Sequence, residues 1–301
     1  MANSNTKKRT TLKKQNAIAG YLLVSPILVG ILLFTVVPVF FSLFISFTDW
    51  NMLHDYNWVG IKNYVDVLGS RMFKTISGNT LVYCVIAIPG SIIAGLLLAL
   101  ALNSSIRGKA FYRSAFFLPN ITTTVAVAIV WTWLYNENYG LINALLNVFG
   151  LPNVKWISSR AWAMPSVAIM SIWQAMGYDM IILIAGLKNI DSTYYEAAKI
   201  DGANGFSAFR KITIPLLSPT LFFLLVTHCI SYMQMFDAAY IMTKGGPGHA
   251  TRTIVMQIYY TAFEFFRMGE AASYAWLLFI VVMAITLLQF KLQDKWVNYD
   301  V

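Results

Sequence analysis

The chain is organised around a short polar stretch between two long apolar segments, Tyr195-Glu196-Ala197-Ala198-Lys199-Ile200-Asp201-Gly202-Ala203-Asn204-Gly205. Thr193 and Glu196 stand three residues apart, the spacing of a capping box that begins a helix. Gly202 and Gly205 permit a sharp turn after that helix. Apolar residues then recur at every third position, which predicts an apolar stripe along a helix-turn-helix: Ile200, Ala203, Phe206, Phe209 and Ile212. An exposed stripe of this kind indicates a surface that a partner covers.

The composition on both sides of this stretch is that of a membrane protein. Of 301 residues, 58% are hydrophobic and 12% are charged, and the mean hydropathy is +0.61. Soluble proteins carry about 25% charged residues. Because a bilayer-spanning helix needs about 20 apolar residues, we predict an all-α polytopic protein with six transmembrane helices at residues 17–47, 76–102, 114–135, 163–187, 216–242 and 271–290.

The first apolar run, residues 17–47, is too long for a signal peptide, whose apolar core has about 7–15 residues. We therefore expect a retained first transmembrane helix that is kinked or broken near Pro26 or Pro38.

The basic residues predict the orientation. With the amino terminus inside, the cytoplasmic segments hold 14 Lys and Arg residues and the outer segments hold 8. Cytoplasmic loops of membrane proteins carry the excess of basic residues. We therefore expect both termini, and the stretch around Glu196, to face the cytoplasm. The net charge of +9 is interpreted in the same way, and not as a sign of a nucleic-acid partner.

Several motifs resemble one family of membrane proteins. Glu196-Ala197-Ala198, Gly202 after Lys199, and Ile212-Thr213-Ile214-Pro215 resemble the EAA loop of permease subunits from binding-protein-dependent ABC importers. The segments 111–119 and Phe236-Asp237 with Gly245-Gly246-Pro247 are similar to the carbohydrate-uptake branch. The ending, residues 291–299, resembles the first of the two permeases in maltose, glycerol-3-phosphate and multiple-sugar systems.

The resemblance implies a type I ABC importer permease fold with a defined set of partners. It implies a second homologous permease subunit, two ATP-binding subunits and an extracytoplasmic solute-binding protein, in a bacterial or archaeal plasma membrane. ATP would be bound by partner subunits, so no cofactor and no metal site are expected in this chain. By this resemblance the residues that dock on the ATPase are Glu196, Ala197, Ala198, Asp201, Gly202 and Phe206.

The same resemblance divides the chain into four parts. Residues 1–16 form a cytoplasmic basic tail, and residues 17–75 hold the first transmembrane helix and an outer loop. Residues 76–290 form the permease core with the coupling loop 188–215, and residues 291–301 form a cytoplasmic tail.

A substrate site is predicted from polar residues inside the spans. Asp179 and Asp237 are the two charged residues well inside predicted spans, where a charge costs roughly 2.5–3.5 kcal/mol. Gln234 and Asp237 stand three apart and are expected on one helix face, as are Gln174 and Tyr178, four apart. Amides and carboxylates beside aromatic rings suit a polyhydroxylated ligand, or alternatively hydrogen-bond across the bundle. The candidate substrate residues are Gln174, Tyr178, Asp179, Tyr232, Gln234 and Asp237.

The sequence contains no motif for chemistry of its own. It has no phosphate-binding G-x-x-x-x-G-K-[ST] loop and no H-E-x-x-H, and its three histidines are scattered. We therefore expect a permease subunit for a sugar or oligosaccharide and not an enzyme. Three alternatives stay open: an ion-coupled transporter that uses Asp179 and Asp237, an ABC permease for a glycerophosphodiester, amino acid or peptide, and a membrane scaffold.

Overall fold

A computed structural model of the chain describes residues 3–104 and 106–298, and its regular structure is helical. Within those residues no β-strand forms, and one isolated bridge pairs Thr48 with Trp58. The expected all-α architecture is therefore confirmed. The predicted tails extend to residues 1–2 and 299–301, which lie outside the described residues.

The helices are numbered here in chain order within the described residues. The first half of the chain holds α1 (Asn3–Ile31), α2 (Val37–Ile45), α3 (Lys62–Gly69), α4 (Arg71–Asn103), α5 (Lys109–Ile121), α6 (Thr124–Leu134) and α7 (Leu141–Val148). The second half holds α8 (Ala163–Lys188), α9 (Ser192–Ile200), α10 (Gly205–Ala208), α11 (Ile214–Met233), α12 (Asp237–Thr243), α13 (Ile254–Tyr259) and α14 (Met268–Gln293). Short π-helical turns join α1 to α2, α10 to α11, and follow α13, at Leu32–Val36, Phe209–Thr213 and Tyr260–Glu264.

Five continuous helical segments in the described part of the chain are long and apolar enough to cross a membrane. They are Asn16–Ile45, Arg71–Asn103, Ala163–Lys188, Gly205–Met233 and Met268–Gln293. The pair α5 and α6 makes a sixth span if it is counted as one broken crossing. The six-span prediction agrees with the structure on that condition.

The first span is continuous through both of its prolines. Pro26 lies inside α1, and Pro38 lies in the first turn of α2 directly after the π-helical turn. In that turn the Val37 amide donates to the carbonyl of Leu32, a wider spacing than in an α-helix. The predicted kink near Pro38 is thus a change of helix type and not a break.

Small residues line the face of α4 that packs on α8. They recur every fourth position and are all buried: Ala87, Ser91, Gly95 and Ala99. A side chain added at Gly95 would collide with Asp179 and with the backbone of Met180 on α8. Small residues let two membrane helices approach closely, and this close approach is the centre of the bundle.

The third span is broken, which the sequence did not predict. A single helix was expected over 114–135, but α5 and α6 meet at 98°. Thr122 and Thr123 between them are extended, with ψ of 141° and 137°. The freed carbonyl of Thr122 accepts a hydrogen bond from the Gln174 side chain of α8 at 3.2 Å. A break inside a membrane span is tolerated where a neighbouring helix satisfies the backbone in this way.

The fifth span is broken as well, and the prediction of one helix over 216–242 is wrong. Helix α11 ends at Met233, and α12 begins at Asp237. The residues between them leave helical geometry at Phe236, where φ is −131°. Thr253 donates to the freed carbonyl of Met235 at 2.9 Å. Because of this break Gln234 and Asp237 do not share a helix face, contrary to the expectation from their spacing.

Candidate functional site

The loop after α8 contains a short helix whose cap differs from the predicted one. Helix α9 begins at Ser192, and the Asp191 carboxylate accepts the Thr193 amide at 2.9 Å. This hydrogen bond lowers the pKa of Asp191 below its usual value. The capping box of Thr193 with Glu196 is therefore wrong: Glu196 lies in the second turn, too far along to reach the capping residue's amide.

The turn after α9 is closed by its own backbone. Gly202 takes a left-handed conformation with φ of +76°, which a glycine adopts without strain. The Ala203 amide donates to Ala198 at 2.8 Å, and the Gly202 amide donates to Lys199 at 3.2 Å. These two bonds form a Schellman motif. Gly205 was expected to help form the turn, but it is the first residue of α10, and a Cβ at this position would meet nothing within 4 Å.

The outer face of this loop is exposed and apolar at two points. Ile200 is 86% exposed and Phe206 is 73% exposed, whereas Phe209 and Ile212 of the predicted stripe are half-buried. The candidate docking residues Glu196, Ala197, Asp201, Gly202 and Phe206 are exposed, and Ala198 is half-buried. The loop therefore presents a surface, and the stripe is shorter than predicted.

The loop is tied to the bundle through one tyrosine. The Tyr195 hydroxyl and Thr213 Oγ1 lie 3.0 Å apart, which joins α9 to the base of α11. The Tyr195 ring also packs against the buried cluster that contains Leu187 and Leu217. The Tyr195 side chain therefore contacts both α8 and the base of α11.

A polar cavity of about 360 Å³ opens where the two broken spans meet α4 and α8. Four of the six candidate substrate residues line it: Gln174, Tyr232, Gln234 and Asp237. Other polar groups complete its wall: Asn120, Thr124 and Ser171. Gln234 and Asp237 are exposed in this chain, so the cavity offers a carboxylate and amides to a ligand.

Two tyrosines form the aromatic wall of the cavity. Tyr83 and Tyr232 meet edge to face, with ring centroids 5.5 Å apart. Tyr83 donates to Ser171 at 2.8 Å, and the Tyr232 hydroxyl lies 2.7 Å from Ser91. Since the Ser91 hydroxyl donates to the Ala87 carbonyl, Tyr232 is the donor in its bond. Each ring is thus fixed by a serine on a neighbouring helix.

A second aromatic pair stands beside the Asp237 carboxylate. Phe236 lines the cavity and stacks on Tyr240, with centroids 5.0 Å apart and planes 18° apart. Flat aromatic faces beside hydrogen-bonding groups accommodate a ring with both apolar C–H faces and hydroxyls.

The structure places the other two candidate residues outside the cavity. Asp179 is fully buried, and both of its oxygens contact His228, at 2.8 and 2.9 Å. Tyr178 packs against the cluster around Met180 and Leu183, below the cavity. Asp179 is therefore a buried residue that pairs with a histidine, and Tyr178 is a packing residue, so the prediction that they line the substrate site is not supported by the cavity.

Some cavity residues were missed from the sequence. Tyr83 and Ser171 carry no charge, whereas the predicted substrate site was built around the charged residues inside the spans. Ser171 and Gln174 stand three apart on α8, a signal that would have placed both on one face. Nothing in the sequence indicates that Tyr83 faces them across the bundle.

A larger groove of about 690 Å³ lies on the other side of α4 and is almost entirely apolar. Its wall comes from α4, α11, α13 and α14, with side chains such as Val85, Met233 and Leu277. Its lining offers a polyhydroxylated ligand only the hydroxyls of Ser77 and Thr80, and burying the ligand's other hydroxyls unpaired would be costly. The polar cavity is therefore the better candidate for a solute.

Comparison with known proteins gives a family. A family model described as "Binding-protein-dependent transport system inner membrane component" matches residues 91–298. The chain is 39% identical to the probable ABC transporter permease protein YesP of Bacillus subtilis (strain 168), over 98% of this chain and 96% of that protein. It is 33% identical to the trehalose/maltose transport system permease protein MalF of Thermococcus litoralis, over 97% of this chain and 98% of that protein.

A solved structure shows the same fold. A chain of a bacterial ABC transporter involved in the import of the acidic polysaccharide alginate superposes with a TM-score of 0.83. The match covers 95% of this chain and 99% of that chain, at 22% sequence identity.

Proposed function

The chain belongs to the family of binding-protein-dependent transport system inner membrane components, and from that premise we propose that it carries a sugar or oligosaccharide into the cell. In this function it is the permease subunit of an ATP-driven importer. The hydrolysis of ATP belongs to partner subunits, since this sequence has no phosphate-binding loop.

The polar cavity with its aromatic walls is the observation that carries the sugar assignment. Tyr232 and Phe236 supply flat faces, and Gln174, Gln234 and Asp237 supply groups that pair with hydroxyls. The cavity lies where the third and fifth spans are both broken, as binding sites in membrane transporters often do. The relative from Thermococcus litoralis, named for trehalose and maltose, supports the same substrate class.

The partners follow from the exposed loop and the family. In our proposal the loop docks on an ATP-binding subunit through Glu196, Ala197, Asp201, Gly202 and Phe206, with the half-buried Ala198 beneath them. A second permease subunit faces this chain across the pathway, and an extracytoplasmic binding protein delivers the sugar.

A path for coupling runs from the loop to the cavity. The bond between Tyr195 and Thr213 joins α9 to the base of α11, and Tyr232 lies near the other end of α11. Closure of the ATPases would move α9 as a rigid piece, and α11 would carry that motion to the wall of the cavity. Rigid-body movement of packed helices is an established form of switching.

The orientation in this proposal places both termini and the α9 loop in the cytoplasm, with α5 and α6 together as one crossing. The test is the labelling of single introduced cysteines in intact cells by an impermeant thiol reagent. Cysteines at Asn57 and Gly248 should react from outside, and one at Asn204 should not. The opposite pattern would contradict both the orientation and the docking of α9 on a cytoplasmic ATPase.

The function itself is tested by uptake in proteoliposomes that contain the complete importer and its binding protein. Labelled disaccharides and oligosaccharides should accumulate only with ATP inside the vesicles, and unlabelled amino acids, peptides and glycerophosphodiesters should not compete. Uptake driven by an ion gradient in the absence of ATP would instead support a secondary transporter. ATP-dependent uptake of one of the competitors would keep the importer and overturn the sugar.

A further inference from the structure

A buried carboxylate is paired with a buried histidine between two membrane spans. Asp179 of α8 is fully buried, and His228 of α11 is 7% exposed. The Nε2–H of His228 donates to the carboxylate, whose two oxygens lie 2.8 and 2.9 Å away. A carboxylate inside a membrane bundle needs such a partner, because an unpaired charge there is strongly unfavourable.

The paired histidine in turn lies flat against a tyrosine of the cavity. His228 and Tyr232 are four residues apart on α11, hence neighbours on one face. Their ring centroids are 5.0 Å apart, and their planes differ by 15°. One N–H shared between both oxygens of Asp179 fixes the plane of the imidazole, since the second side-chain torsion of histidine is otherwise broad. The imidazole then defines the plane in which Tyr232 can lie.

The far end of Tyr232 is held on a third helix. Its hydroxyl donates to Ser91 of α4 at 2.7 Å, and Ser91 is fully buried. Tyr232 is therefore held on one ring face by His228 and at its hydroxyl by Ser91. The remaining surface of the ring lines the polar cavity.

The second tyrosine of the wall has no such support. Tyr83 is held by its bond to Ser171 and by edge-to-face contact with Tyr232, and no ionisable pair contacts its ring among the described residues. The two tyrosines are alike in their serine anchors, but Tyr83 is buried in the hydrophobic core, whereas Tyr232 is half-buried and has the Asp179–His228 pair against its ring.

We propose that Asp179 and His228 are positioning residues that hold the Tyr232 ring in the orientation in which it receives the transported solute. Asp179 does not contact the solute, because it is fully buried outside the cavity. The proposal rests on the assignment of this cavity to a sugar, and it gives the buried pair a role in substrate affinity beyond joining α8 to α11.

The first test replaces the pair by two apolar side chains in the intact importer with its binding protein. Apolar replacement of both members of a buried ionisable pair is commonly tolerated by the fold, so Asp179→Leu/His228→Leu should assemble in wild-type amounts. We expect its half-saturating sugar concentration for uptake to rise about tenfold, the effect of losing one well-placed contact. Asp179→Asn keeps an acceptor for His228 and should stay within about twofold of the wild type.

The mode of action is tested in a second background. If the pair acts through Tyr232, adding Asp179→Leu/His228→Leu to Tyr232→Leu should produce no further rise in the half-saturating concentration. Independent, additive effects would overturn the proposal. So would wild-type affinity of the double leucine variant, and so would its failure to assemble, since that outcome assigns the pair a purely structural role.

A third measurement needs no sugar and separates this proposal from the substrate assignment. In a Cys84→Ala/Cys229→Ala importer, Ser91→Cys places a thiol beneath Tyr232, and Ser171→Cys places a matched thiol beneath Tyr83. The double leucine change should raise labelling of the first thiol by a small reagent about tenfold and leave the second unchanged. Equal rates at Ser91→Cys with and without the change, or equal increases at both thiols, would contradict selective positioning of Tyr232. A positive labelling result without sugar uptake would overturn the substrate alone.

Discussion

The turn after α9 and the polar cavity are held together by different kinds of contact. The bonds that shape the turn and cap the helices on either side of it join residues close in sequence: Asp191 to Thr193, Ala198 to Ala203, and Asn204 to Ser207. The bonds that shape the cavity wall join Tyr83 to Ser171 and Ser91 to Tyr232, which are 88 and 141 residues apart.

This difference in contacts implies a difference in rigidity: the turn keeps its shape, and the cavity can change its shape. A turn closed by its own backbone keeps its form wherever the bundle moves. A cavity whose walls come from α4, α8 and α11 changes form whenever these helices shift against each other. An importer needs both, because the loop must pass on a force and the cavity must open to alternate sides.

The largest expected effect comes from the close contact behind the cavity. Gly95→Leu would force a side chain into Asp179 and the backbone of Met180. Overpacking of this kind costs about 1–3 kcal/mol or more, and we expect the variant to lose most of its folded, detergent-extracted protein. Gly78→Leu is the matched control on the same helix, because nothing lies within 4 Å of a Cβ there. Equal thermal stability of both variants would show that the α4–α8 contact is loose.

The second-largest effect is expected from a change in the turn after α9. Gly202→Pro cannot adopt φ of +76° and removes the amide that bonds Lys199, a strain on the order of 3 kcal/mol. We expect uptake to fall by more than tenfold while the bundle stays folded, because the turn is closed independently of the cavity. Gly205→Ala is the control, with open space at that position. Loss of thermal stability in Gly202→Pro would mean that the two regions are not separate.

A smaller effect is expected inside the cavity. Asp237→Asn keeps the size of an exposed side chain at the start of α12 but removes its charge. Hydrogen bonds to charged groups are stronger than neutral ones by about 1 kcal/mol, so the half-saturating sugar concentration should rise several-fold, with the ATPase partner still bound. Asp55→Asn, exposed in the loop between α2 and α3, serves as the comparison. Unchanged uptake kinetics for both Asp237→Asn and Gln234→Ala would show that these two side chains do not contact the substrate.

The smallest structural effect is expected at Glu196. Since Asp191 caps α9, Glu196→Ala should leave the helix intact, whereas Asp191→Ala should destabilise it by about 0.5–2 kcal/mol. Hydrogen exchange of the loop at matched membrane levels compares the two. If Glu196 docks on the ATPase, its alanine variant should lose partner co-purification with the helix still protected. Normal binding and normal substrate-stimulated ATP hydrolysis would exclude it from the docking surface.

The sequence predicted the parts of the molecule that depend on local pattern. The spans follow from runs of apolar residues, and the left-handed position in the turn follows from Gly202. The wrong capping residue is a failure of the same method, because Asp191 and Thr193 both fit the start of a helix and local spacing does not choose between them.

The two breaks could not be predicted, because no residue at either break demands one. Thr122, Thr123 and the segment 234–236 contain no proline or glycine. What stabilises the breaks is the satisfaction of the freed carbonyls by Gln174 and Thr253, which come from other parts of the chain. For the same reason the pairing of Asp179 with a histidine 49 residues away could not be predicted.

The spans differ in how far they depend on one another for insertion. The first span, Asn16–Ile45, has a mean hydropathy of 2.7 and none of its most apolar stretch is buried by the chain. The most apolar stretch of Ala163–Lys188 has a mean hydropathy of 1.6 and is 50% buried, and that of Gly205–Met233 has values of 1.7 and 39%. The first span can therefore partition into lipid by itself, whereas the two spans that carry the cavity are the least apolar of the five continuous spans in the described residues. Those two helices therefore depend most on neighbouring helices for their place in the membrane, whereas the following span, Met268–Gln293, again stands at 2.3 and 28%.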